Sequence, residues 1–261
     1  MGRPPEGRAG ILRPAERAAE LTRLGGFAVW QVEQDGLVPL TTALRPTSLA
    51  SRFAATRDAL AAGSGLTADE VMPRTAVSAS QVGLVSRLWS VALASLALHR
   101  TVPDLSPDQL LVADTHRNPS PMALADPAAG CHLEDPDDVV QASAAMIEVV
   151  VQGGVAAITE ACRVHGSTSA NVLVSNATSS LVSAARVVAR KVPGQAGYLE
   201  TLTQLLLTDP WLAEGGGYRS EESGDREFKR AGCCLYYRLP GHGLCPDCVL
   251  VRPGHPADDH H

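Results

Sequence analysis

Apolar residues recur every three to four positions through residues 75–99, as Leu84/Val85, Leu88/Trp89, Ala92/Leu93 and Leu96/Ala97. That spacing predicts a helix, with Trp89 as a core anchor and Arg87, Ser90 and His99 mostly on its other side. A second stripe, Val140, Ala144, Ile147, Val151, Val155 and Ile158, predicts a helix running toward Val164. Asp135-Pro-Asp-Asp138 gives this helix a capping aspartate, a proline at its first position and acid in its first turn. Gly153-Gly154 weakens its middle and invites a kink. Residues 169–191 and 197–208 predict two further helices, joined closely enough to lie antiparallel.

Weaker signals fill the intervals. Pro14 opens a helix to about Leu24, which Gly25-Gly26 ends. Phe27 to Val32 reads as a short strand. Thr47 caps a helix to Ala62, with Gly63 just past its end. Thr67-Ala-Asp-Glu70 has capping-box form, and Pro73 keeps that helix short. Residues 101–136 hold six prolines and two apolar runs, Leu110–Ala113 and Met122–Leu124, which predict one or two small hairpins. His116, Arg117 and His132 fall there and read as solvated loop residues. Residues 214–226, rich in Gly, Ser and acid, read as an exposed linker. The first ten residues and the tail from Gly254, with Asp258 to His261, read as disordered.

The predicted fold is mainly α (α+β): a helical body with a small β-hairpin region and a C-terminal four-cysteine module. The division is 1–213 for the body, 214–227 for the linker and 228–253 for the module. Composition agrees. Of 261 residues 45% are hydrophobic but only 4% aromatic, so the core must be built of Ala, Val and Leu, as packed helices are. The net charge of −6 argues against a nucleic-acid partner. The apolar stretches 82–98 and 139–159 are interrupted by Arg87 and Glu148 and read as core helices rather than membrane spans. Peripheral membrane contact stays open. No apolar run follows Met1 to Arg8, so export is not expected, and a cytoplasmic location is.

The chemistry concentrates at Cys233-Cys234, ten residues, Cys245, two residues, Cys248. Four soft thiolates in so short a stretch point to zinc or an iron–sulfur cluster, although two disulfides or four reduced thiols would use the same residues. Structural zinc favours gaps of two to four residues in both halves, and the vicinal pair departs from that. Neighbouring residues direct their side chains apart, so one iron takes both only if the backbone kinks, and Gly232 supplies that freedom. Cys131 and Cys162 have no ligand spacing and read as buried small hydrophobes.

The run Phe228-Lys-Arg-Ala-Gly-Cys-Cys-Leu-Tyr-Tyr-Arg-Leu-Pro-Gly-His-Gly-Leu-Cys-Pro-Asp-Cys248 closely resembles the C-terminal motif of FhuF-type ferric-siderophore reductases. Leu207 to Trp211 and the region around Ser86 to Ser90 are more loosely similar. Ser169-Ala-Asn-Val-Leu173 departs from the WGN-type motif that many relatives carry. The resemblance implies that Cys233, Cys234, Cys245 and Cys248 bind a [2Fe-2S] cluster. It implies a one-electron reduction of a ferric siderophore, hydroxamate type first, releasing Fe(II) for iron assimilation.

Lys229, Arg230, Arg238 and Arg252 flank the motif, where cations would favour the reduced cluster. Gly241 and Gly243 offer amides to sulfur, and Tyr236 and Tyr237 would shield it. The chelate is expected between body and module, with Arg87, Arg163 and His165 as candidate wall residues. The sequence has no GxSxG, HExxH, P-loop or GxGxxG, so an external donor such as ferredoxin is expected. Two other readings use the same cysteines: a zinc-knuckle binding or regulatory protein, and an iron–sulfur redox sensor with no chelate substrate.

Overall fold

The computed structural model describes residues 12–135, 137–220 and 226–251. The first ten residues, Pro136, Arg252 and the tail from Gly254, all of which carried expectations above, lie outside the described residues.

Helix α1 (Pro14–Leu24) starts on its proline. The Glu16 carboxylate accepts from the backbone and the guanidinium of Arg13, which closes the first turn. The expected strand from Phe27 to Val32 is absent. Gly26–Ala28 form one 3-10 turn, and the chain then runs irregularly. A side chain takes the acceptors a neighbouring strand would have used: Arg87 donates to the Phe27 carbonyl at 3.0 Å and to that of Val29. Arg87 is therefore buried, at 1% exposure, not turned outward.

Strand β1 (Leu37–Pro39) leads into the short α2 (Leu40–Ala43) and then α3 (Pro46–Ser64). Helix α3 begins one residue before Thr47, because Pro46 fits the first helical position, and it closes at Gly65, which adopts φ 67°. The capping box at Thr67 holds a single 3-10 turn, Ala68–Glu70. Pro73, expected as a terminator, is the first residue of α4 (Pro73–His99).

The expected hairpins form from the apolar runs. β2 (Thr101–Pro103) pairs antiparallel with a later strand, while β3 (Leu110–Ala113) lies between β1 and β4 (Met122–Leu124), antiparallel to both. The partner of β2 is β5 (Gly130–His132). All three residues of β5 face solvent, so Cys131 is exposed, contrary to expectation, whereas Cys162 is buried.

Asp138, not the expected Asp135, caps α5 (Val139–Met146), accepting from the amides of Val140 and Gln141, while Asp135 accepts from the Asp137 amide ahead of the helix. A wider π segment, Ile147–Val155, joins it to α6 (Ala156–Gly166). The extra residue per turn shifts the phase of the apolar stripe. Val140 and Ala144, expected inside, are exposed, and Ala142 and Met146 are buried instead; late in the π segment Val151 and Val155, and beyond it Ile158, are buried as expected. Gly154 lets the 105–106 loop lie against this segment, since a Cβ there would stand 2.6 Å from the Leu105 carbonyl oxygen and 2.6 Å from Leu88.

Helix α7 (Ala170–Lys191) is followed by α8 (Ala196–Leu206), α9 (Pro210–Ala213) and a hairpin of β6 (Gly216–Ser220) with β7 (Arg226–Arg230). The stretch expected as an exposed linker thus contains a paired strand. Residues 221–225, between the hairpin's two strands, lie outside the described residues.

The architecture is mainly α, with α4 at its centre against α7, α3 and α6. Trp89 is fully buried and donates from its indole to the Ala177 carbonyl at 3.0 Å, fixing α4 on α7. Small residues let the helices approach, so α4 is buried nearly all round rather than along one stripe. By length and composition α4, α7 and the α5–α6 run are each long and apolar enough to cross a membrane. Two thirds or more of the apolar windows of α4 and α7 are buried within the protein.

Candidate metal centre

The cysteines hang from the end of β7. Phe228 is 2% exposed and meets Tyr218 edge-on, 6.0 Å between rings, which anchors the hairpin. Two residues on, Arg230 turns inward and is 5% exposed. Its guanidinium donates to the Gly232 carbonyl at 3.1 Å and to Oδ1 of Asn176, and its amide donates to the Asp247 carbonyl at 3.0 Å. One arginine therefore joins both halves of the cysteine motif to α7.

The tie continues into α4. Asn176 Nδ2 donates to Ser78 Oγ at 2.9 Å and to Gln81 Oε1 at 3.0 Å. Ser78 Oγ donates to the Cys234 carbonyl at 2.8 Å, and Gln81 Nε2 donates to Thr159 and to the Leu173 carbonyl. Ser179 donates to the Asp247 carboxylate. Every named member of this buried network has a partner, which rigidifies the loop it holds. Gly232 serves the same contact. A Cβ there would lie 2.8 Å from the Asn171 carbonyl oxygen and 3.0 Å from Ser175 Oγ, so the glycine allows close approach to α7 rather than supplying a kink. The kink falls at Leu235, with φ 72°.

That bend directs the vicinal thiols to different partners. Cys234 Sγ stands 3.8 Å from Cys245 Sγ, and the Cys233 thiol interacts with Cys248. Backbone amides approach the sulfurs, from Leu235 to Cys233 and from Leu250 to Cys248, both at 3.4 Å. The amide of Tyr236 serves Cys234. These are the sulfur donors, and Gly241 and Gly243, expected in that role, shape the loop through their left-handed conformations.

Cys234 and Cys248 are buried, Cys233 and Cys245 half-buried, and all four line one cavity of about 320 Å³ with Tyr236, Tyr237, His242 and Leu244. A hydrogen bond from Cys245, with help from the Tyr236 amide and the Arg230 charge, pulls the Cys234 thiol down to about 6. The same bond, and burial, push Cys245 up. Burial raises Cys233, and lifts the Tyr236 phenol to about 12, which keeps it neutral.

Among the described residues no three His, Cys, Asp or Glu side chains converge as one metal ion would require. The sulfurs stand instead as two neighbouring pairs. Two thiolates for each of two irons is the donor set a diiron cluster takes, so the residues fit that group.

Of the proposed wall residues, none lines this cavity. Arg87 serves the 27–29 segment, Arg163 is exposed and paired with Glu160 at 2.6 Å, and His165 is exposed. His116, expected in solvent, lies 3.1 Å from Thr56 Oγ1 and lines a second cavity that shares Val82 and Tyr236 with the first. Sequence reasoning missed Ser78, Gln81 and Asn176. Their signal was polar residues spaced three apart, or standing alone, in otherwise apolar helices.

Residues 230–250 match the family model of the FhuF 2Fe-2S C-terminal domain. The matched stretch contains all four cysteines and supports a [2Fe-2S] cluster as the cofactor of this module. No curated protein matches the chain.

Proposed function

We infer that this protein is a ferric-siderophore reductase of the cytoplasm, in which Cys233, Cys234, Cys245 and Cys248 hold the [2Fe-2S] cluster and a body spanning 1–213 supports a module at 228–253. The observation that carries the reading is the family match at 230–250, on a stretch whose four thiols line one cavity in two pairs. When bound, the cluster supplies single electrons. Siderophore oxygens, hydroxamates first, grip hard Fe(III) far more tightly than Fe(II), so reduction releases the substrate iron.

The chain's own residues hold and tune. Arg230 places a buried positive charge beside Cys234 and Cys245, which favours added negative charge at the sulfurs. The amides of Leu235, Tyr236 and Leu250 do the same by hydrogen bonding. Tyr236 and Tyr237 wall the cavity and limit water. No protein nucleophile or acid–base pair is needed, and a ferredoxin-type donor supplies the electrons.

Anaerobic purification tests this. Expected are visible absorption that dithionite bleaches, iron and acid-labile sulfide in equal amounts, and reoxidation by ferric hydroxamates with Fe(II) trapped as it leaves. Colourless, zinc-loaded protein would overturn the cluster. A reduced cluster that no ferric chelate reoxidises would overturn the substrate.

A further inference from the structure

The second cavity, of about 270 Å³, is bounded by α3, α4 and the loop after β3. It holds Arg52, Arg117, His116, Ser80 and Ser120 in its lining, and no acidic side chain among the described residues. Its polar groups are built in rather than scattered. Arg52 is 2% exposed, Ser80 4% and Ser120 3%. Arg52 donates from one amino nitrogen to the Ala113 carbonyl, but its Nε has no partner, and neither have the hydroxyls of Ser80 and Ser120. A guanidinium buried this deeply is costly unless an anion or a full set of acceptors meets it. Asp114 opposes that cost from outside, since it is exposed and does not line the cavity.

Thr56 spends its single proton on the Arg52 carbonyl at 2.8 Å, so His116 donates to it from Nδ1 and its ring is fixed. Burial and the Arg52 charge lower the His116 pKa, leaving the positive charge to the two arginines. Unused donors, two guanidinium groups and no acid describe a receptor for an oxygen anion.

The position says which anion. Tyr236 and Val82 form a wall common to this cavity and the cysteine cavity. A volume below the roughly 300–1,000 Å³ of whole-ligand sites suits one arm of a larger molecule. We propose that this cavity seats a carboxylate arm of the ferric chelate while the iron faces the cysteines, so that acid-bearing chelates are the preferred substrates. This rests on the reductase reading above.

Redox-inert gallium(III) separates the two. The holoprotein is titrated with gallium complexes of one linear tris-hydroxamate scaffold, ending either in a carboxylate or in a neutral acetyl cap. The carboxylate form is expected to bind roughly tenfold tighter or more. Arg117→Gln, and independently Arg52→Lys, should erase the preference, read as the ratio of the two complexes' affinities. Because Arg117 is exposed, its variant keeps the test open if Arg52→Lys fails to fold. Equal affinity of the two complexes, or a preference that survives Arg117→Gln, overturns the proposal. Gallium accepts no electron, so a carboxylate preference without ferric reduction would sink the reductase reading alone, and reduction without preference would sink only this one.

Discussion

Arg230 carries a full charge into the interior and uses it twice, as a clamp on Gly232 and Asn176 and as a field at Cys234. Arg230→Met should lower the cluster's reduction potential by on the order of 50 mV, read by dye-mediated titration, with Arg230→Lys recovering part of it. The same variant leaves Asn176 Oδ1 unpaired and should cost about 1–3 kcal/mol in urea unfolding. An unchanged potential would mean that the clamp matters only mechanically. Cys234→Ser should abolish the cluster or convert its spectrum, and an unaltered four-thiolate spectrum would remove Cys234 from the ligand set. The cysteines were legible in the sequence because soft donors at short spacing are rare. Their cradle was not, because Ser78, Gln81 and Asn176 are individually ordinary and acquire meaning only when α4 and α7 are brought together.

At the scale of elements, small residues at close approaches decide what fits. Gly154→Ala would force a Cβ against the Leu105 backbone, and a loss of about 1–3 kcal/mol is expected. Gly63, inside α3 with open space around it, makes the matched control: Gly63→Ala should gain about 0.5–1 kcal/mol. Thermal unfolding of the two variants checks both signs, and equal shifts would refute the argument. The long helices could be read from their periodicity, and the hairpins from their apolar runs between prolines. The strand expected from Phe27 to Val32 failed because Arg87, sixty residues after Phe27 and on another element, satisfies the carbonyls. The stripe on α5 failed because a π segment resets the helical phase, which a fixed period cannot foresee.

For the molecule as a whole, burial holds both His99 and His116 below the ordinary histidine value of 6.5, against the pull of Glu20 at His99 and with the help of Arg52 at His116. The unfolded chain takes up these protons near 6.5, and the folded protein only at lower pH. Stability from this source is therefore complete above 6.5 and declines as pH falls through the folded values. Urea midpoints should drop between pH 7.5 and 5.5, and the His99→Gln, His116→Gln double variant should flatten that drop. Identical slopes would show that other groups govern acid sensitivity.

The network from Ser78 through Asn176 to Arg230 also implies an order of events during synthesis. The ribosome delivers α4 and α7 before the cysteines, so the residues that receive the thiols are synthesised first. Loading with iron and sulfide is thereby placed late, after every residue of the polar cradle has been made.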